Sequence, residues 1–174
     1  MNPSGRSPDI RKRCFAPVNN KRTRLLISGT LPGDKSLTVQ EYYGNRENKF
    51  WDMVGTVIGA DLRGMAYDAR LATLLSHGIG LWDIVTEAHR QGSLDSNIKE
   101  RNDNDLLGLL KRYPGIKALE FSGGTAGELG MKVLGARASA YQVVKLPSSS
   151  PAYTLSYVEK AMRWQAMQSI VADT

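Results

Sequence analysis

The sequence predicts an α/β fold: a three-layer α/β/α sandwich around a four-stranded, mostly parallel central sheet. Short apolar or β-branched runs alternate with stretches of helical periodicity, and the connections between them are short. The 174 residues, 41% hydrophobic and 23% charged, suit one domain with a proper core and are too few for two ordinary ones. No run approaches the ~18 apolar residues of a membrane span, and the first thirty residues lack the apolar core of a signal peptide. These features predict a soluble intracellular chain.

Each element has a local reason. Residues 24–30 (RLLISGT) form a buried strand running into a Gly/Pro turn. Residues 48–59 form a helix with Phe50, Trp51, Val54, Val57 and Ile58 inward, and residues 67–77 form another, closed by Gly78 with His77 as its cap. Residues 79–85 (IGLWDIV) are the second strand. Asn104 caps a helix over residues 106–113 that stops before Pro114. Residues 116–122 are the third strand, and Thr125 begins a helix to about residue 134. Residues 140–146 (AYQVVKL) are the fourth strand, and 147–151 form a loop. A closing helix over residues 154–170 buries Leu155, Val158, Met162 and Ala166, while Trp82 and Trp164 fill packing space.

Charge divides the chain. The first 24 residues carry seven basic residues against the single acid Asp9, which accounts for the whole formal excess of +6. Residues 1–22 are therefore read as an arm, mostly unfolded or draped on the surface, and residues 23–174 as the folded domain. Arg11, Lys12 and Arg13 in that arm are candidates for phosphate contacts, because clustered cations displace counterions from nucleic acid; a solubilising tail is the plain alternative. The lone cysteine, Cys14, and two histidines exclude thiolate metal sites and iron–sulfur clusters, so neither metal nor cofactor is expected.

In a parallel sheet ligands bind at the carboxyl ends of the strands. Here those ends are residues 29–36, 82–83, 122–125 and 147–152, all rich in Gly, Pro, Ser or Asp. The first, GTLPGDKS, approaches a nucleotide phosphate loop, but Asp34 replaces the second glycine and would aim negative charge into the anion nest. Nucleotide hydrolysis is disfavoured on that ground. Gly123 and Gly124 permit close backbone approach at a helix start, toward a phosphate or simply in a turn.

Taken in order, LLISGTLPG, YYGNRENKFW, GIGLWD, FSGGTA and LPSSSPA resemble the uracil-DNA glycosylase superfamily, most closely its hypoxanthine-DNA glycosylase branch. The resemblance runs from about Phe15 to the last helix. It implies that Tyr43 lies where similar enzymes set a ring against a flipped base, a contact worth roughly 1–3 kcal/mol; by itself Tyr43 also reads as a core aromatic. In most of the superfamily an Asp or Asn in the first loop positions the water, and here Leu31 stands in that place. The hypoxanthine branch shares this departure and relies on the asparagine before the Phe-Trp pair, here Asn48. An amide aligns a water and offsets developing positive charge without acting as a base; Asn48 also suits a helix cap.

Asp83 stands where relatives carry a base-reading side chain. An ionised carboxylate accepts from the ring N–H of hypoxanthine and repels the unprotonated ring nitrogen of adenine, while a backbone N–H serves the carbonyl. Its alternative task is ordering residues 92–98. Leu31 and Gly33 complete the base-binding set, and Ser148 stands where some relatives place His or Asn near the leaving base. Ser149 and Ser150 suit phosphate contacts. Ala152 falls where relatives insert a leucine wedge, with Tyr153 beside it as a substitute.

The chain is thus expected to be a monomeric, monofunctional DNA glycosylase that removes a deaminated base, hypoxanthine first, in base excision repair at the nucleoid. No lysine in the motifs is placed for a Schiff base. A uracil or G:U mismatch glycosylase on the same fold is the nearest alternative; on the hypoxanthine alignment, with Leu31 in place of the water-positioning residue, a Leu31→Asn or Leu31→Asp variant should gain uracil activity. A non-catalytic nucleic-acid or nucleotide-binding module is the alternative from another class.

Overall fold

A computed structural model describes residues 11–172 of the chain. In chain order the elements are β1 (Arg11–Arg13), β2 (Leu25–Ser28), α1 (Asp34–Val39), α2 (Phe50–Ile58), α3 (Tyr67–Ser76), β3 (Ile79–Leu81), β4 (Val85–His89), β5 (Lys99–Asp103), α4 (Leu106–Arg112), β6 (Ala118–Ser122), α5 (Gly124–Leu134), β7 (Gln142–Leu146), α6 (Tyr157–Trp164) and α7 (Met167–Ala172). Four strands form one parallel sheet in the order β3-β2-β6-β7. Leu25 of β2 lies opposite Ile79 on one side and Ala118 on the other.

The sheet is apolar on both faces, which explains why β2 reads as a continuous run instead of an alternating one. Leu25 and Ile27 face a cluster with Phe50, Trp51 and Val54 of α2, Leu74 of α3 and Trp164 of α6. Leu26, Leu119 and Phe121 face the other cluster, with Leu106, Leu109 and Leu110 of α4 and Leu134 of α5. The predicted three layers are present, and every pairing in the central sheet is parallel.

A second, three-stranded antiparallel sheet, β1-β4-β5, was not expected. The predicted strand over 79–85 is two strands: after β3 the chain turns, Ile84 N–H donates to Gly29 O (2.9 Å), and β4 leaves the parallel sheet. The first β4 partner corrects the expected domain boundary. Arg11, Lys12 and Arg13 pair with His89, Ala88 and Glu87, Val18 exchanges backbone bonds with Leu81, and Phe15 sets its ring edge-on to Tyr42. Residues 11–22 therefore belong to the folded domain; residues 1–10 of the expected arm, with Arg6, lie outside the described residues.

Two helical details also differ. Asp105, not Asn104, caps α4 by accepting from Gly108 N–H (2.9 Å). Asn104 instead donates to Asp83 O (2.6 Å) and accepts from the Thr86 hydroxyl (2.8 Å), tying the site strand to β5. The expected closing helix is broken into α6, begun by the Ser156 cap, and α7. Its buried stripe is Lys160, Trp164, Met167, Ile170 and Val171, while Val158 and Met162 face solvent. The rotation is set by two inward bonds: Trp164 Nε1 donates to Pro147 O (2.9 Å) and Lys160 Nζ to Ser150 O (2.8 Å). Burying the indole with its donor satisfied outweighs burying two smaller aliphatic chains. Among the described residues no helix is long and apolar enough to cross a membrane.

Candidate active site

All four strand-end loops meet at one cleft of about 760 Å³. Because the central strands are parallel, their carboxyl ends lie together, and each following helix starts beyond the rim. Tyr43, Asn48, Asp83, Leu31, Gly33, Ser148, Ser149, Ser150, Ala152 and Tyr153 all line this cleft. Arg11, Lys12 and Arg13 do not.

Tyr43 is held as a platform. Its ring stacks on Phe50 with centroids 3.7 Å apart and planes 8° from parallel, and Trp51 meets it edge-on. Its backbone is left-handed (φ 53°), a conformation that costs a non-glycine residue about 1–3 kcal/mol. Gly44 N–H secures the turn by donating to Ser36 Oγ (2.9 Å). Burial pushes the Tyr43 hydroxyl well above the usual phenol range, the charges of Asp83 and Glu120 add to this, and Ser122 partly opposes it.

Below it, a Cβ on Gly29 would lie 3.1 Å from Asp83 Oδ1, a tight contact, and 3.5 Å from the Tyr43 hydroxyl, an ordinary one, so the glycine gives the Asp83 carboxyl room at the end of β2. Asp83 is buried, and burial, reinforced by the charge of Asp95, pushes its carboxyl up to about 7; Arg90 and the Gly29 N–H partly oppose this. It is therefore about half ionised near neutrality. Glu120, fully buried in β6, is also pushed well above the carboxylate range by burial, with the Ser122 hydroxyl as partner at 2.8 and 3.0 Å.

Asn48 reaches the cleft from the residue pair before α2. Its Oδ1 accepts from Phe50 N–H (2.9 Å), and its backbone carbonyl accepts from Arg63 (2.9 Å), whose guanidinium also pairs with Asp52. This bond closes a turn ahead of α2, whose N-cap is Lys49 with no side-chain cap bond, so Asn48 is not the helix cap that the sequence suggested. The bond leaves the second lone pair of the amide oxygen and the amide NH₂, for which no side-chain bond is seen among the described residues.

The 147–152 loop is folded by its own serines: Ser148 Oγ accepts from Ser150 N–H (3.1 Å) and Ser150 Oγ from Ala152 N–H (3.2 Å). Its carbonyls are drawn inward by Trp164, Lys160 and the Lys49 N–H, which donates to Ser149 O (3.3 Å). Gly123, at φ 89° and within 3.3 Å of Ser148 Cβ if given a Cβ, allows this loop to close on the start of α5. Ser149 is buried, so the phosphate-facing position expected for it is an interior one; Ser150 is half-buried, and Ala152 and Tyr153 are exposed.

The opposite rim contains residues that local sequence patterns did not reveal. Arg90 is buried, donating to the carbonyls of Leu31, Pro32 and Gly92 and lying 3.8 Å from Asp95. Lys12 is buried as well, its ammonium bonded to Asp34 and Gly92 O. It is an internal tie between the first loop and the β4–β5 hairpin, which corrects its expected place on a phosphate-facing surface. Arg11 and Arg13 share the carboxylate of Glu87 (2.7 and 2.9 Å), which offsets part of the charge of β1 within its own sheet. Leu31 packs with Val85 and Ala88. Lys35 is exposed at the rim. Only a hairpin signal, two polar runs around Gln91-Gly92-Ser93, hinted at this rim in the sequence.

Residues 16–173 match the model of the uracil DNA glycosylase superfamily. The chain belongs to the uracil DNA glycosylase superfamily. Two relatives are similar along nearly their full length. The hypoxanthine DNA glycosylase of Methanosarcina acetivorans is 40% identical over 156 residues, 90% of this chain and 97% of that protein. The hypoxanthine DNA glycosylase of Methanosarcina barkeri is 37% identical over 155 residues, 89% and 96% respectively. The solution NMR structure of a uracil-DNA-glycosylase-like protein from Methanosarcina acetivorans superposes with a TM-score of 0.83 at 39% identity, covering 94% of this chain and 99% of that one. The superfamily membership expected from the ordered motifs is met.

Proposed function

We propose that this chain is a monofunctional DNA glycosylase that hydrolyses the N-glycosidic bond of deoxyinosine and releases hypoxanthine, the first step of base excision repair on intracellular DNA. The observation that supports this best is the meeting of a half-buried aromatic platform, a buried carboxyl and an amide in one cleft, in a chain 37–40% identical to proteins designated hypoxanthine DNA glycosylases. A target inside a duplex is out of reach of any such site, so the nucleotide must swing out, at a cost of a few kcal/mol of unstacking.

The everted base stacks on the face of Tyr43 opposite Phe50. Ionised Asp83 accepts the ring N–H of hypoxanthine, and the unprotonated ring nitrogen of adenine meets a negative charge instead. As the glycosidic bond lengthens, positive charge grows on the sugar, and the Asn48 amide orients the incoming water while its oxygen dipole offsets that charge. The Ser148 hydroxyl and the loop N–H groups face the departing base. Leu31 supplies neither an acid nor an amide to the water, in keeping with the assignment of that task to Asn48.

Asn48→Ala tests the assignment. Excision from an inosine duplex should fall about a hundredfold while binding persists; excision at the wild-type rate would remove Asn48 from the mechanism. The product should be an abasic strand that stays intact until treated with alkali, in Lys35→Ala as in the wild type. Strand cleavage by the wild type alone would make Lys35 a Schiff-base lysine.

A further inference from the structure

Resting on the base-excision reading, we infer that Leu94, at the tip of the β4–β5 hairpin, is the side chain that enters the base stack when the target nucleotide leaves it. Everting a base opens a gap the height of one base pair, and an apolar side chain held rigidly at the mouth of the pocket can fill it and stop the base from returning.

Among the described residues two exposed large apolar side chains line the cleft, Leu94 and Tyr153, on opposite rims. Leu94 is 50% exposed and belongs to none of the three hydrophobic clusters. An unburied leucine is unremarkable on a loose loop, but this tip is not loose. On one side Ser93 Oγ accepts from Asp34 N–H (3.0 Å), and Gly92 O accepts from both Arg90 and the Lys12 ammonium. On the other, the Thr30 hydroxyl donates to Asp95 Oδ2 (2.9 Å), and a 3₁₀ turn over Asp95–Asn97 sends Asn97 N–H back to Leu94 O (3.0 Å).

Both neighbours of Leu94 are thus tied to the first loop of the site, and its apolar side chain is left outside the core. Tyr153 differs: its ring lies 5.4 Å from the Lys160 ammonium and is engaged with its own rim. Ala152, beside it, has too little side chain to fill a gap in a stack.

The experiment compares wild type, Leu94→Ala, Leu94→Met and Tyr153→Ala on duplexes carrying deoxyinosine next to 2-aminopurine, whose fluorescence rises when its neighbour unstacks, and on the same strand single. Single-turnover excision is followed on both. Leu94→Ala should abolish the fluorescence rise and lower the duplex-to-single-strand rate ratio about tenfold, and Leu94→Met should retain both, which a general folding defect would not allow. A Leu94→Ala protein matching wild type in fluorescence and in duplex rate overturns the inference and leaves the glycosylase reading standing. Loss of the rise in Tyr153→Ala alone gives the role to the other rim and overturns it equally. If the wild type excises nothing, the glycosylase reading fails, and the fluorescence alone decides: a rise that needs Leu94 keeps the inference, and no rise ends it.

Discussion

The 147–152 loop on one side of the cleft hangs from three separate donors, the Trp164 indole, the Lys160 ammonium and the Lys49 backbone N–H, each taking one carbonyl. Across the cleft the first loop and the hairpin tip share a cluster of buried charge, in which one guanidinium serves three carbonyls and Asp95, and Lys12 adds Asp34. Three independent bonds fail one at a time. A shared guanidinium cannot be removed without orphaning all its partners together, and its charge also reaches Asp83. The hairpin rim should therefore be cooperative and pH-coupled, and the serine rim local and pH-indifferent.

Arg90→Met gives the largest effect. Removing one member of a buried charge cluster leaves its acid and carbonyls unpaired, for a loss of about 3–5 kcal/mol in urea unfolding. Because Arg90 holds the Asp83 carboxyl down, the midpoint of the excision-versus-pH curve, expected near 7 in the wild type from the Asp83 carboxyl, should move to higher pH in this variant. A midpoint that does not move would break the contrast.

Asp83→Asn comes next. The Asp83 carboxyl titrates at about 7 in the folded protein against an ordinary value of 3.8, so the folded state holds the proton more tightly, and this residue costs stability progressively as pH rises from about 4 to about 7. The amide variant should be more stable than wild type at pH 8, by about 2–4 kcal/mol, with the gap closing toward pH 4, as thermal melts across pH would show. It should also lose the pH dependence of excision.

Lys160→Met removes one bond from the serine rim and should cost about 1–2 kcal/mol. It should slow excision without moving the midpoint; a shift as large as that of Arg90→Met would erase the distinction between the rims. The smallest effect belongs to Arg13→Gln. With its guanidinium already on Glu87, its loss should flatten the salt dependence of DNA binding by less than about one phosphate contact, measured by titration at several salt concentrations.

Much of this site was legible in the sequence because it is punctuated by residues that act locally. Apolar runs ending in GTLPG, WD, SGGT and LPSSSPA announce strand ends, and parallel strands gather their ends by geometry alone. The hairpin rim was hidden because β5 (KERND) is exposed at every position and carries no alternation. The face of α6 was misjudged for a related reason. Its aliphatic spacing marks Val158 and Met162, but the side chains turned inward are a lysine and a tryptophan whose partners lie on the preceding loop.

The sequence by itself determined the parallel sheet, the order of its loops and the residues those loops offer to a ligand, since periodicity and turn chemistry are properties of neighbours along the chain. Tertiary structure decided what becomes of charge. Lys12 reads as a surface cation until Asp34 and Gly92 close over it, and Asp83 and Glu120 read as ordinary acids until the core withholds water from them. Solvation depends on which distant segments arrive at a group, and no local pattern carries that information.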